Sequence, residues 1–533
     1  MTTPTGLKKL CYSLATLTLL AALPQEAASQ TSSLTSRAAA RFLDQATWGS
    51  TPASVAQLQQ TGISGWLNAQ FALNVSDLPD QPVLAANGLS NTSLAPVQSA
   101  FFVNAVTGAD QLRQRIAFAL SEIFVVSSAT VTPAYAFPPY WRIFRDNAFG
   151  NYRDIIKAVT LNPAMGSYLT MANNYKASNL LGTAPNENYA RELLQLFTLG
   201  LNQLNPDGSP VLANGAPVPI TNSSVITNMA ALLTGWTYPT APGATPKTFN
   251  PPYYLGQMIP VESEHDTTTK TIFGNVTIPS GQSAEMDLDS LLNALMKQPT
   301  MAPFVCQQLI QHLVTSNPSP AYIQRVATVF ENDGSGTVGN MQAVITAILT
   351  DPEARAADQP AAPPNPNFGH LREPVLLVAN MLRGLNATVG PQTAVGALTA
   401  IMGQNLFEAP NVFGYFSPRY RLPTGLLAPE FQIYSTQTSA NRTNAILAIL
   451  YGLIDPSTTI NLKPFVQNAG NLNSLLNYIS AVFLHGGMST NLYQAAYNAA
   501  AASASGTSTL AESVQTLAAL RVVLSSAEYQ IIQ

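Results

Sequence analysis

The chain has 533 residues, of which 46% are hydrophobic and only 10% charged, with a formal net charge of −4. This is ample material for a large core, and far less charge than the roughly 25% of an average soluble domain. No Lys/Arg run exceeds two residues, which leaves no nucleic-acid footprint and no polybasic membrane patch.

Taken in order, the chain opens on Lys8-Lys9, an apolar run over 10–23 and the small residues Ala27-Ala28-Ser29. That pattern predicts a secretory signal over 1–29, cut after Ser29. The run is too short to span a membrane comfortably, so no span is expected after cleavage. Cys11 precedes the run, which is not a lipoprotein arrangement. Its removal leaves Cys306 alone, which excludes an internal disulfide, a multi-cysteine zinc site and c-type haem attachment. The expected setting is periplasmic or extracellular.

Residues 30–38 read as a flexible lead. Helical spacing follows over 39–46, 51–63 and 64–71, and residues 74–96 read as a polar surface loop. Residues 111–126 carry a stripe of Leu112, Ile116, Ala117, Leu120, Ile123 and Phe124, with Arg113, Arg115 and Glu122 off it. Three prolines over 133–139 are expected to break the chain before helices at 140–148 and 152–161.

Residues 185–200 predict one complete helix. Pro185 suits its first turn, Glu187 its positive end and Gly200 its stop. Asn205-Pro206-Asp207-Gly208 is a turn, and 225–233 a short helix. Residues 237–281 favour strands and loops, including Thr271-Ile272-Phe273 and Val276-Thr277-Ile278. Helical patterning resumes at 288 and continues at 304–313, 322–330 and 341–349. Four prolines over 360–366 predict a linker. Further helices are expected at 373–385, 394–402, 426–450, 472–484 and 510–525.

No fixed-period repeat is present. The expected fold is mainly α: a large multi-helix body with a small β-containing insertion and polar loops. Its predicted regions are 30–236 and 282–359, both helical, the insertion 237–281, the linker 360–366 and a helical region 367–533.

The central stretch packs Asn186, Glu187, Asn188, Arg191 and Glu192 into seven residues. On a helical wheel, Tyr189, Ala190, Leu193, Leu194, Leu196 and Phe197 share the apolar face, and the charges share the other. Glu187 and Arg191 stand at i,i+4 with the acid first, worth roughly 0.2–0.5 kcal/mol. A capped, ion-paired helix explains most of this. The sharper expectation is that the polar face lines a cleft, with Glu187, Arg191 and Glu192 as candidate catalytic groups and Asn186 and Asn188 as binding groups. Arg113 and Arg115 are expected to join a network with these carboxylates.

His265-Asp266, in the insertion, is the other candidate pair, since an adjacent acid could orient the ring. The alternative is a loop-anchoring hydrogen bond. His312 reads as a satisfied helix histidine. No two of His265, His312, His370 and His485 have metal-ligand spacing, and the acidic turns at 205–208 and 332–334 lack the ligand count of a calcium loop. No metal and no cofactor is therefore expected. Neither a Gly-x-Ser-x-Gly elbow, a P-loop nor a dinucleotide fingerprint occurs.

Several separated segments resemble a bacterial family of unknown function numbered 1800. They include Arg41-Phe42-Leu43 with Ala46-Thr47-Trp48-Gly49, and Leu112-Arg113-Gln114-Arg115 with Ala119-Leu120-Ser121. Asn162-Pro163-Ala164-Met165, the central stretch, Leu233-Thr234-Gly235-Trp236 and His265-Asp266 with Lys270 also match. Residues 304–313, Gly403-Gln404, Pro410-Asn411-Val412 and Pro429-Glu430-Phe431-Gln432 complete the set. The family often has histidine where this chain has Phe197, so a histidine there is not essential to its role.

The resemblance implies an exported, mainly helical bacterial protein, often encoded beside a phosphatase- or sulfatase-like exported family. The expected function is a helical scaffold or binding protein working with such a hydrolase or with a surface polysaccharide. The alternative is a hydrolase or lyase acting on a glycan or a phosphate- or sulfate-bearing polymer through its carboxylates.

Overall fold

Short polar caps set most helix starts. Thr35 accepts a hydrogen bond from the Ala38 amide and opens the helix Ser36–Ala46. Thr51 and Ser54 form a reciprocal capping box at the start of Pro52–Phe71. The segments expected at 51–63 and 64–71 join here across a kink at Gly62, whose φ is 67°. The computed structural model describes residues 34–84, 88–178, 180, 182–359, 365–506 and 508–533. The expected signal at 1–29 and residues 360–364 of the expected linker lie outside the described residues.

The protein is mainly α-helical, with a few two-stranded sheets. Helix Ala95–Thr107 begins inside the stretch read as loop. Its outer side carries Pro96, Ala100 and Val103 among the polar residues, so no clean stripe marks it, and its inner side packs against Gln111–Ile123, Pro374–Gly384 and Val395–Ile401. Pro138 and Pro139 do not break the chain. They occupy the first turn of Phe137–Asn147, where a missing amide hydrogen costs no helical bond. The single helix expected at 426–450 is divided: Pro429–Ile433 forms a 3-10 turn, and Ser435 caps Thr436–Leu450. The alanine-rich helix Thr490–Ser503, not foreseen, packs against Thr509–Leu524.

In the insertion, Lys270–Ile272 pairs antiparallel with Val276–Ile278 over a turn at Phe273 and Gly274. Trp236–Thr237 pairs with Ile259–Pro260. A further pair, His370–Leu371 with Ile531–Ile532, ties the C-terminus to the middle of the chain.

One hydrophobic cluster extends from Ala39 to Ile532, and Leu34–Gln533 form one compact unit. Buried ion pairs pin it. Arg372 holds Asp44 through two hydrogen bonds of 2.9 and 2.5 Å. The Asn380 amide donates to Asp44 at 2.9 Å, and His485 Nε2 lies 3.2 Å from the same carboxylate. Tyr529 donates to Asn380, and its carbonyl accepts from Arg372. The first helix, the Pro374–Gly384 helix and the C-terminal turn thus share one carboxylate.

Candidate functional site: a carboxyl-lined cavity

Helix Met301–Leu313 supplies one wall. Val305, Cys306, Leu309, Ile310 and Leu313 are buried in the core. The remaining face, Phe304, Gln307, Gln308, Gln311 and His312, repeats at helical spacing and lines a cavity of about 530 Å³.

The central stretch supplies the second wall, in a form the sequence did not show. Only Asn188–Glu192 is α-helical, and Leu193–Thr198 continues as a π-helix. The Leu199 amide donates to the Leu194 carbonyl at 2.8 Å, and the Thr198 hydroxyl donates to the Leu193 carbonyl at 2.6 Å. The wider turn keeps Tyr189, Ala190, Leu193, Leu194 and Phe197 in the core. It leaves Leu196 half-buried beside Glu192 and Gln195 on the cavity wall, not on the core face expected of it. Such turns recur at functional sites. Gly200 ends the segment at φ 78° against Phe304, where an added Cβ would sit 2.7 Å from the ring.

Glu122, in the last turn of Gln111–Ile123, and the segment from Val412 to Glu430 close the cavity. Arg419 and Arg421 also line it and are exposed; Glu430 is only 4% exposed. His370 Nδ1 lies 3.0 Å from Glu430 Oε1. Glu430 Oε2 and Gln308 Nε2 have no hydrogen-bond partner among the described residues.

Behind this wall, Arg115 is fully buried. It donates to the His312 carbonyl and has no carboxylate in ion-pair contact among the described residues. Burial pushes the Glu122 carboxyl well above the usual range, and nearby Glu373 adds to the shift. Burial likewise raises Glu373 to about 7, although Arg115 opposes it. Glu192 is raised by burial and partly restrained by Arg191. Burial, then Arg115 and His370, push His312 down to about 3, so its ring is neutral at physiological pH.

A carboxyl raised in the folded state gives its full stability below its unfolded pKa and loses it as pH rises through the folded value. Glu373 therefore makes the protein less stable as pH climbs from about 4.5 toward 7. The variant Glu373→Gln should flatten that slope in melting temperatures measured across this window. An unchanged slope would remove Glu373 as its source.

Several sequence candidates lie elsewhere. Glu187 pairs with Arg191 at 3.0 Å on the surface and accepts from Thr227 at 2.7 Å. Asn186 accepts from the Asn188 amide in the turn that leads into the helix, and Asn188 itself is exposed. Arg113 donates to the Arg145 and Phe71 carbonyls and lies over the Phe149 ring.

The expected network of Arg113 and Arg115 with the central carboxylates therefore does not form. Glu187 has a partner on its own turn, and both arginines turn to backbone carbonyls. Replacing Glu187 by Gln should change stability by less than about 0.5 kcal/mol, as for other exposed i,i+4 pairs. A urea titration reads this directly.

His265 is buried too, with Nε2 3.1 Å from Asp287 and Nδ1 2.9 Å from the Thr234 carbonyl. Asp266, its sequence neighbour, instead accepts from Thr268 and lies 3.7 Å from Lys270. Of the catalytic candidates, Glu192 alone reaches the cavity. Sequence reasoning passed over Glu122, Gln308, His312 and Glu430 as site residues. The polar stripe over 304–312 was the available signal.

Among the described residues, no three His, Cys, Asp or Glu side chains are grouped to hold a metal, and no helix is long and apolar enough to cross a membrane.

Fold and site together define a large, mainly helical protein with a largely apolar cavity into which a few carboxyls and amides reach. The family described as "Protein of unknown function (DUF1800)" matches residues 41–531, nearly the whole chain, and the protein belongs to that family. No curated protein and no solved structure matches it.

Proposed function

We propose that the protein is an exported glycan-binding protein that holds a hydroxyl-rich polymer segment in this cavity. The observation that carries the reading is the pair of orphaned groups on its wall. Gln308 Nε2 is a donor without an acceptor, and Glu430 Oε2 an acceptor without a donor. Buried polar atoms left this way cost about 1–3 kcal/mol each. A sugar hydroxyl both accepts and donates, so it suits both groups. Gln195, Gln307 and Asn202 add amides that bind hydroxyls without demanding charge, and Phe304, Phe413 and Phe416 add apolar surface for a ring face. The signal-like segment at 1–29 supports export. The expected scaffold role narrows to this cavity, with a surface polysaccharide as the partner.

An array of neutral, acidic and amino-sugar oligosaccharides tests the reading, with titration calorimetry on the retained ligands. Binding should weaken about five- to tenfold in Gln308→Leu, at a melting temperature that is not lowered because the orphaned donor is removed. If the array retains nothing, the proposal fails.

A further inference from the structure

We infer that the cavity also cleaves the glycan it holds, with Glu122 as general acid and Glu192 as general base. The inference rests on the glycan reading and goes beyond it. Both side chains line the cavity from different elements, the last turn of Gln111–Ile123 and the junction between α- and π-helix. Neither carboxyl has a hydrogen bond or ion pair among the described residues. Arg191, the cation beside Glu192, is already engaged by Glu187.

This sets the two apart from the other enclosed acids. Asp44 is held by Arg372, Asp287 by Lys270, Glu373 by Gln404 and Glu430 by His370. A chain this poor in charge has left two enclosed carboxyls free, and both face one cavity. The nearly buried Glu430, with its unpartnered oxygen on the same wall, supplies an independent contact for a ligand hydroxyl.

Their surroundings separate the roles. Glu122 is walled in by protein and lies near a second carboxyl, Glu373, so it retains its proton. Burial raises Glu192 as well, but it is less enclosed and Arg191 restrains the shift, so it is the first of the two to ionise. Two carboxyls whose environments divide them in this way make an acid and a base.

In the step, Glu122 donates its proton to the glycosidic oxygen and the bond from that oxygen to the anomeric carbon breaks. Glu192 takes a proton from a water whose oxygen bonds to the same carbon. The products are two shorter glycans, with one water added across the bond. Glu122 is left ionised and Glu192 protonated, and exchange with solvent resets both.

The test incubates the full-length protein with each array glycan it retains and assays new reducing ends between pH 4 and 8. Wild type should release them with a bell-shaped pH dependence. Glu122→Gln and Glu192→Gln should each lower the rate about 10²–10⁴-fold, with affinity and melting temperature nearly unchanged. Glu122→Asp, which keeps a carboxyl, should retain more activity than Glu122→Gln and guards against a folding artefact. Retention without any new reducing end overturns cleavage and leaves the binding reading intact. Cleavage that persists in both glutamine variants overturns the assignment of these residues. Failure of both retention and cleavage overturns both proposals.

Discussion

Replacing Arg372 by methionine is expected to cost about 3–5 kcal/mol, read as a lower urea midpoint. Arg372 and Asp44 are both nearly inaccessible, with side chains 3% and 1% exposed. Removing the cation leaves a buried carboxylate with only Asn380 and His485 for company. Burial by itself would raise the Asp44 carboxyl; Arg372, and then His485, hold it well below the usual range. A depressed carboxylate contributes stability above its unfolded pKa of about 3.9 and loses it as pH falls through the folded value. The variant should therefore also lose part of the wild type's acid sensitivity. Adding Asp44→Asn to Arg372→Met should recover much of the lost stability, because the stranded charge disappears. A single variant with an unchanged midpoint would show that the pair does not pin the fold.

A loss of similar size is expected from Asp287→Asn. Asp287 meets His265 at 3.1 Å and the Lys270 ammonium at 2.8 Å, and all three side chains are nearly fully buried. Without its charge, the one carboxylate left near Lys270 among the described residues is Asp266, at 3.7 Å. Breaking a buried pair from one side costs about 3–5 kcal/mol, whereas replacing both partners by apolar groups is often neutral. The double variant Lys270→Met with Asp287→Leu should therefore be more stable than Asp287→Asn. Thermal unfolding of the set decides the point; a double variant no better than the single one would contradict it. The cluster fastens the Lys270–Ile272 strand to helix Ala284–Met296, and both pack on helix Ser223–Leu232, which packs on the central helix. Its loss should loosen the insertion first.

Local signals carried the sequence reading where structure is local. Tyr152–Thr160 and Met341–Thr350 fall within a residue of their expected ends, because Asn151 and Asn340 cap their starts and amphipathic spacing sets their length. The hairpin strands were legible from β-branched runs. Periodicity failed where an exposed face carries apolar residues, as at Ala95–Thr107, whose outer side includes Pro96, Ala100 and Val103 and so gives no polar face to mark the period. It also failed at the central stretch. Most residues over 189–197 favour a helix, and nothing in their spacing separates α from π pitch.

The sequence by itself determined the class: a mainly helical chain of this family, low in charge, with a strand-bearing insertion and carboxylates concentrated near Glu192. Those properties follow from composition, spacing and short motifs. Tertiary structure decided which charges matter. It left the Glu187–Arg191 pair outside the cavity, sent Arg113 to backbone carbonyls and buried His265 against an acid from a helix later in the chain. It also brought Glu122, Gln308 and Glu430 from distant parts of the chain to the cavity that Glu192 reaches. The physical reason is that pairing and burial depend on distance in space. A carboxyl left without a partner can be recognised only when every possible partner has been placed.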